Sequence, residues 1–591
     1  VLVLGCFGES AIRKLGWRVV LVGSFFAATL FCAATGYVIM KGAPLPTWLK
    51  PITTTTSVPG LFYTAGALGL CSLALFALCL RRGGPKLIDS TLAVIGIVSL
   101  LSWWNLGHYH FDHYIHIWEH YHYIVGAKYG PELRYARLYQ CTAVADLQDG
   151  MRSTVEKRKM RRIEADNELG TTAEILRHPE LCTKHFKDPA RWQQFRADVR
   201  FFRGRFSHER WDESQQDHGY NGTPVWAVAA RYLGDHVEMT WDNIVRLGLI
   251  DSGFLVLMWL CALWAFGWRS TAVALVYWGA NFPARFYWNG GSFLRYDWIL
   301  WLVVGICFLR KKHMFLGGAA LTYATLLRVF PGFVVATIVL KALAAMVRER
   351  RIFLSRAHLH FAAGCIVALA LLIPASRWAT AGLDAWPEFA QNSKKHLSTA
   401  LTNNMGLKTV MGYDVATRAI NMRNDKLSDP FKQWKDAKEH FYKVRAPYFY
   451  AIIFLFCIML ARAADREGEE WAAACLGTGL IAIGPELTCY YYGFLLTYGL
   501  LWERRKLPGI LAALLAGATC FIYDYFAWND DHFAAMSLAT VVVVIVVTAH
   551  AAFGKRVPAE LTEPLPSPAQ PEPQLTAAVE PVLPPLETEP I

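Results

Sequence analysis

Charge is scarce in this 591-residue chain: 18% of its residues are Asp, Glu, Lys or Arg, against about a quarter in a soluble globular protein. The deficit is not spread evenly, because long apolar runs alternate with short charged stretches, and that pattern excludes a string of soluble domains. Among 13 cysteines there is no CxxC pair, and most lie inside apolar runs, where they read as small buried hydrophobes. Cys141 and Cys182 are the exceptions, and an oxidising compartment would let them pair. The net charge of +12 comes without a basic patch carrying a recognition motif, so no nucleic acid is expected as a partner. There is also no repeat of fixed period. No small-residue cleavage site follows the first apolar run, which is therefore read as a retained helix behind Arg13, Lys14 and Arg18.

What the chain does have is hydrophobicity: 54% hydrophobic residues and a mean hydropathy of +0.25. A bilayer crossing takes roughly 20 mostly apolar residues, because each backbone polar group in lipid must be satisfied within its own helix. The expected fold is an all-α, polytopic transmembrane helical bundle of about 12–14 spans with helical outer loops. Candidate spans are 17–40, 60–80, 87–104, 248–267, 271–284, 297–310, 314–328, 330–346, 359–376, 446–462, 471–485, 487–502, 508–526 and 533–552. The shorter ones around 271–330 and 471–502 could fuse or re-enter.

With the N-terminus placed in the cytoplasm, every second loop should be basic. Those loops hold Arg81, Arg82 and Lys86; Arg269; Arg310, Lys311 and Lys312; and Arg348, Arg350 and Arg351. Arg462 and Arg466 follow, then Arg504, Arg505 and Lys506, and finally Lys555 and Arg556. The alternation holds throughout and puts both termini inside. The organisation expected is N-terminal helices (1–104), an outer region (105–247), central helices (248–376), a second outer loop (377–445), C-terminal helices (446–554) and a Pro-rich tail (555–591). Helical stretches are expected at Met151–Glu168 and Pro189–Phe206. The tail has too little apolar content to fold.

Chemistry concentrates in the run from His108 to Tyr123. If it is helical, Asp112, His116, Glu119 and Tyr123 share one stripe. Two acids on one face at the membrane surface suit general-base work on a hydroxyl. His113, His116 and His120, spaced three and four apart, could instead hold a divalent metal, although no further histidine box completes such a site. The third reading is an interfacial belt of His, Tyr and Trp. On the same side fall Arg285, Arg295, Asp297, Arg328, Glu486 and Tyr491. Ionisable groups at membrane depth are costly and usually functional. Outward arginines run against the positive-inside bias. A bound anion would account for them, and a guanidinium suits phosphate.

These residues carry a resemblance. Glu119-His-Tyr-His-Tyr123, then Gly126-Ala127 and Leu138-Tyr139, are similar to the acidic outer-loop pattern of the C-type (GT-C) glycosyltransferases. The closest likeness is to the polyprenol-phosphate-mannose-dependent mannosyltransferases of glycosyltransferase family 87. Between Gly290 and Leu340, a Gly-containing outer turn, Arg310-Lys311-Lys312, Gly317-Gly318-Ala319 and Arg328 three residues before Pro331 fit the same family. Glu486 stands where the family carries a late outer histidine. The resemblance implies a multi-pass bacterial inner-membrane glycosyltransferase with its active site on the periplasmic face. Its partners would be a lipid-linked sugar donor and a lipid or glycan acceptor. By that match Glu119 is the catalytic acid residue, with Asp112 as the alternative base. Arg295 and Arg328 would hold the departing phosphate, with Tyr123, Arg285, Asp297, Glu486 and Tyr491 also binding substrate. Two other functions stay open: a non-enzymatic assembly component docking a partner through its outer loops, and a metal-dependent enzyme built on the histidines.

Overall fold

A computed structural model describes residues 85–104, 109, 113–379 and 385–557. The expected spans 17–40 and 60–80, the tail beyond 557, and Asp112 lie outside these residues. Helices dominate. Among the described residues, five are long and apolar enough to cross a membrane: Trp241–Ala280, Arg356–Ala379, Lys432–Glu467, Lys506–Tyr525 and Asn529–Phe553. Shorter apolar helices include Met314–Leu327 and Glu470–Ile483. Large apolar side chains such as Leu260, Ile366, Leu371, Phe454 and Leu455 are more than half exposed. In water such faces would aggregate; against lipid chains they are at home.

Trp241–Ala280 is broken at Gly267, where φ is +74°. The Trp259 and Trp278 rings lie 6.2 Å apart. Nineteen residues of straight helix would separate them by about 28 Å, so the chain reverses at Gly267 into two antiparallel helices. The expected pair 248–267 and 271–284, with Arg269 at the turn, therefore holds. Small residues let neighbouring helices close up. A side chain at Gly318 would meet the Phe361 carbonyl oxygen at 2.2 Å, and one at Gly364 the Phe315 carbonyl oxygen at 2.0 Å, so Met314–Leu327 and Arg356–Ala379 touch backbone to backbone.

The basic turns gather at one end and meet acids there. Arg269 pairs with Asp89 at 2.7 Å and Arg504 with Glu467 at 2.7 Å, Lys312 pairs with Glu469, and Arg348 pairs with Asp465. The regular spacing of these clusters along the sequence thus corresponds to a single face of the bundle.

Two expectations fail. The stretch 151–168 is not a helix. A single turn, Arg152–Val155, leads into a hairpin of Lys159–Arg161 with Leu169–Thr171. Asn167, at φ +59°, turns that hairpin, and the Arg161 guanidinium holds the Asn167 carbonyl oxygen at 2.8 Å. Nor is 487–502 a regular spanning helix. The short strand Leu487–Thr488 pairs with Asn404–Met405, and a 3-10 segment, Cys489–Leu495, and one helical turn, Leu496–Leu500, follow. Irregular backbone at this depth is tolerable because Tyr492 to Trp502 are buried in protein. The Tyr277 hydroxyl donates to the Tyr492 carbonyl oxygen at 2.8 Å.

The outer region packs as helices Leu138–Gln148, Pro189–Arg203 and Trp226–His236. Asp188 caps Pro189–Arg203 at its N-terminus, and the expected helix there is present. Cys141 and Cys182 form a disulfide that ties Leu138–Gln148 to the short helix Glu180–Thr183.

Candidate active site

Among the described residues, the stretch His113 to Tyr123 does not form one continuous α-helix. A helix starts at Ile117, with His116 as its N-cap, and passes at Tyr121 into a π-helical turn, Tyr121–Val125. Insertions of this kind are enriched at functional sites because they re-aim side chains. Glu119 and Tyr123 both reach Arg295. The Glu119 carboxylate sits 3.0 Å from Arg295 Nε, and the guanidinium lies 4.4 Å from the Tyr123 ring centroid and 5.4 Å from that of Tyr490.

The Arg295 backbone is set by a turn that periodicity cannot encode. Gly291 and Leu294 both have positive φ, at +65° and +52°. Asp251 then clamps the following residues: its carboxylate accepts the Arg295 backbone N–H at 2.9 Å and that of Tyr296 at 3.3 Å. The Leu294 carbonyl oxygen accepts from the Trp226 indole N–H at 2.8 Å. This fixed turn presents the guanidinium to Glu119.

Arg328 follows the helix Met314–Leu327 at its outer end and lies over Trp226, 5.8 Å from the ring centroid. Its electrostatic neighbours are Tyr491, Asp297, Arg295 and Tyr123. Tyr491 packs between Trp298 and Phe330, with centroids at 5.9 and 5.0 Å. Asp297 is buried and accepts the Trp298 backbone N–H at 2.7 Å. Two guanidiniums, one 2% and the other 7% exposed, thus lie close enough to repel. Arg295 Nη1 and Nη2 and Arg328 Nε and Nη2 are buried and have no hydrogen-bond partner among the described residues. Leaving such donors unpaired is expensive, so they mark a place where an anion can bind.

Burial pushes the Glu119 carboxyl above its usual range, and Asp217 adds to this, while Arg295, His122 and Arg328 oppose it. Asp217 behaves oppositely. Burial would raise it, but His122, His218 and hydrogen bonds from the Trp118 indole, at 2.7 Å, and the His218 backbone N–H hold it down at about 2. Two neighbouring carboxyls pushed apart in this way are suited to different roles, one taking a proton and the other staying charged. Asp217 was not singled out in the sequence, because nothing in its local pattern separates it from a loop acid.

Other expected site residues lie elsewhere. Glu486 belongs to a separate cluster: Lys438 Nζ and the Thr409 hydroxyl each bond it at 2.7 Å, and Lys408 lies at 3.8 Å. Burial raises its carboxyl, but these partners more than offset that and leave it below its usual range. Arg285 stacks among Phe282, Tyr287, Trp288 and Tyr523, with centroids at 4.1 to 5.6 Å. The Tyr287 and Trp288 rings are therefore occupied by Arg285 rather than presented to Glu119. The histidines do separate structural work. His116 caps a helix, His113 packs on Trp241 at 5.1 Å, and the buried His120 bonds the His116 carbonyl oxygen at 3.1 Å, burial lowering its pKa to about 4. Among the described residues no three His, Cys, Asp or Glu side chains are placed to hold a metal. The stretch Gly219 to Trp226 packs largely inward. Tyr220, Thr223 and Trp226 are buried, and the Tyr123 hydroxyl donates to Asn221.

The fold is that of a helical membrane protein, and its buried Glu119–Arg295–Arg328 cluster is the strongest candidate site. Comparison of the chain with protein-family models, with curated proteins and with solved structures returns no match.

Proposed function

We propose that this protein is an integral membrane glycosyltransferase moving a sugar from a polyprenyl-phosphate donor to an acceptor hydroxyl at the outer leaflet. The observation that carries this reading is the pair of buried guanidiniums with unpaired N–H donors beside one raised carboxyl. In the reaction, the Glu119 carboxylate takes the proton of the acceptor hydroxyl. The acceptor oxygen bonds to the anomeric carbon as its bond to the phosphate oxygen breaks, inverting configuration. The departing polyprenyl phosphate gains charge, and Arg328 and Arg295 stabilise it, which is usually the largest catalytic contribution. The raised basicity of Glu119 suits proton abstraction near neutral pH, and Asp217 stays ionised beside it.

The Cys141–Cys182 disulfide fits an outer region facing an oxidising compartment. The basic turns at the opposite end fit a cytoplasmic face. Both agree with the periplasmic side of a bacterial inner membrane and with cytoplasmic termini. The test is transfer from a synthetic polyprenyl-phosphate sugar by reconstituted protein. Wild-type protein transfers the sugar, and a folded Glu119→Gln variant does not. Full transfer by that variant would reject the reading and leave a partner-docking role ahead.

A further inference from the structure

The second outer loop meets the outer region along one seam. Its helix Ala385–Ser398 runs beside the hairpin of Lys159–Arg161 with Leu169–Thr171 and beside His218. Lys395 Nζ donates to the Ile163 carbonyl oxygen at 2.8 Å, and the Asn167 amide donates to the Thr399 hydroxyl at 2.9 Å. Lys432 pairs with Glu168 at 2.9 Å and Arg134 with Glu388 at 3.0 Å. Both ion pairs are partly exposed, so each adds little. Inside the seam two histidines face each other. His218, from the outer region, and His396, from Ala385–Ser398, stand edge to face with ring centroids 5.4 Å apart. His218 Nδ1 and His396 Nε2 are buried and have no hydrogen-bond partner among the described residues.

The charges that face these rings are mostly positive. Arg161 comes from the hairpin, Lys395 from Ala385–Ser398 and Lys435 from the start of Lys432–Glu467. The acids nearby are engaged. Asp429 pairs with Lys435, Glu164 with Arg137 at 3.6 Å, and Asp217 accepts from the Trp118 indole at 2.7 Å and the His218 backbone N–H at 2.8 Å. Asp217 favours a proton on both histidines, but burial and the cations outweigh it. Burial and then Arg161 lower His218 to about 3, and burial, Arg161 and Lys395 lower His396 to about 4. A proton on either ring adds a cation to a closed seam that already holds three.

We propose that His218 and His396 form an acid-sensitive latch: neutral rings hold the second outer loop against the outer region, and a proton on either loosens it. Opening the seam takes both rings away from their buried, cationic surroundings, and each returns toward the ordinary histidine value of about 6.5. A group whose pKa is lower in the closed form than in the open one stabilises the closed form at high pH. That contribution is lost as the pH falls from the open-state value toward the closed-state value. Here the window runs from about pH 6.5 down to about pH 4. The seam lies against Asp217, itself a neighbour of Glu119, so the latch links acidity outside to that flank of the candidate site. Its opening does not depend on glycosyl transfer.

The experiment is hydrogen–deuterium exchange, read by mass spectrometry, on the full-length, detergent-solubilised protein between about pH 7 and about pH 5, where ordinary carboxylates stay ionised. Rates are corrected for the intrinsic pH dependence of exchange. Peptides covering 159–171 and 385–399 are expected to lose protection together on acidification. Across that range the loss is about twentyfold from each histidine and about four hundredfold from both. The helix Leu138–Gln148 should keep its protection. His218→Asn and His396→Asn should each remove about one such twentyfold step, and the double variant nearly all of the loosening. His396→Phe keeps a ring against His218 and should behave as His396→Asn does, which separates a lost proton site from lost packing. His440→Asn, at an exposed histidine, should change nothing. Three results would overturn the proposal: constant protection across the range, loosening as steep in the double variant as in wild type, or equal loosening of Leu138–Gln148. Sugar transfer does not enter the readout, so failure of the latch and failure of the transferase are separate results.

Discussion

Buried arginine and glutamate meet at both ends of this protein, and the two ends are built to opposite ends. At the face of the basic turns, Glu467 is fully buried between Arg504 and Arg505. Arg504 also donates to the Val557 carbonyl oxygen at 2.8 Å, and Arg505 to that of Lys555 at 2.8 Å. One carboxylate is shared by two guanidiniums, and backbone carbonyls take further N–H groups, so the cluster is closed. At the other face, among the described residues, Glu119 pairs with Arg295 alone. Among those residues Arg328 bonds only its neighbouring Leu327 carbonyl oxygen, at 2.8 Å, and several N–H donors stay unpaired. The same residue types form a staple where their hydrogen bonds close and a binding site where they do not.

That contrast can be broken by substitution. The largest effect expected is on transfer by Glu119→Gln, a loss of about 10²- to 10⁴-fold, the usual contribution of a general base. That substitution also removes the ion partner of one buried guanidinium, Arg295, so some stability is lost, though less than where two guanidiniums are stranded. Glu467→Gln should act mainly on stability. It strands two buried guanidiniums and should lower unfolding stability by about 3–5 kcal/mol, read by thermal or chemical denaturation in detergent. Arg328→Met should slow transfer by about 10²- to 10³-fold, the scale of one lost charge-stabilising group, while costing no more than the ordinary value of about 1 kcal/mol for a point substitution. If Arg328→Met were as destabilising as Glu467→Gln, the two ends would be the same kind of structure and the comparison would fail.

The smallest expected effect is in the pH profile. A raised carboxyl protonates at higher pH, so transfer should fall on acidification while the pH is still above the ordinary carboxylate range. Arg328 holds the Glu119 carboxyl down. Its removal should therefore move the acid limb of the residual activity further up, as a pH series on both proteins would show. A downward shift would place another group on that limb.

The outline of the bundle could be read from the sequence because lipid imposes a simple rule: apolar runs of span length, ended by charge. That rule found both helices around Gly267 and set the basic turns on one face. It failed at 487–502, where an apolar run is buried in protein and needs no regular helix. The 151–168 stretch misled because its charges mimic an amphipathic helix, while Asn167 and the Arg161 side chain bond to backbone and stabilise a hairpin. In the structure, Glu119, Tyr123, Arg295, Asp297, Arg328 and Tyr491 lie together. Glu486 and Arg285 do not, because a loop residue can turn toward local lysines or rings that sequence distance hides. Asp217 and the Asp251 clamp were missed for the same reason: their partners are 99 and 44 residues away along the chain.

The most direct test of the central claim is a cryo-EM map of the intact protein with a polyprenyl-phosphate analogue. The account predicts phosphate density held between Arg295 and Arg328, with Glu119 beside it. Phosphate bound elsewhere, with the free N–H donors of Arg295 and Arg328 still unfilled, would contradict it.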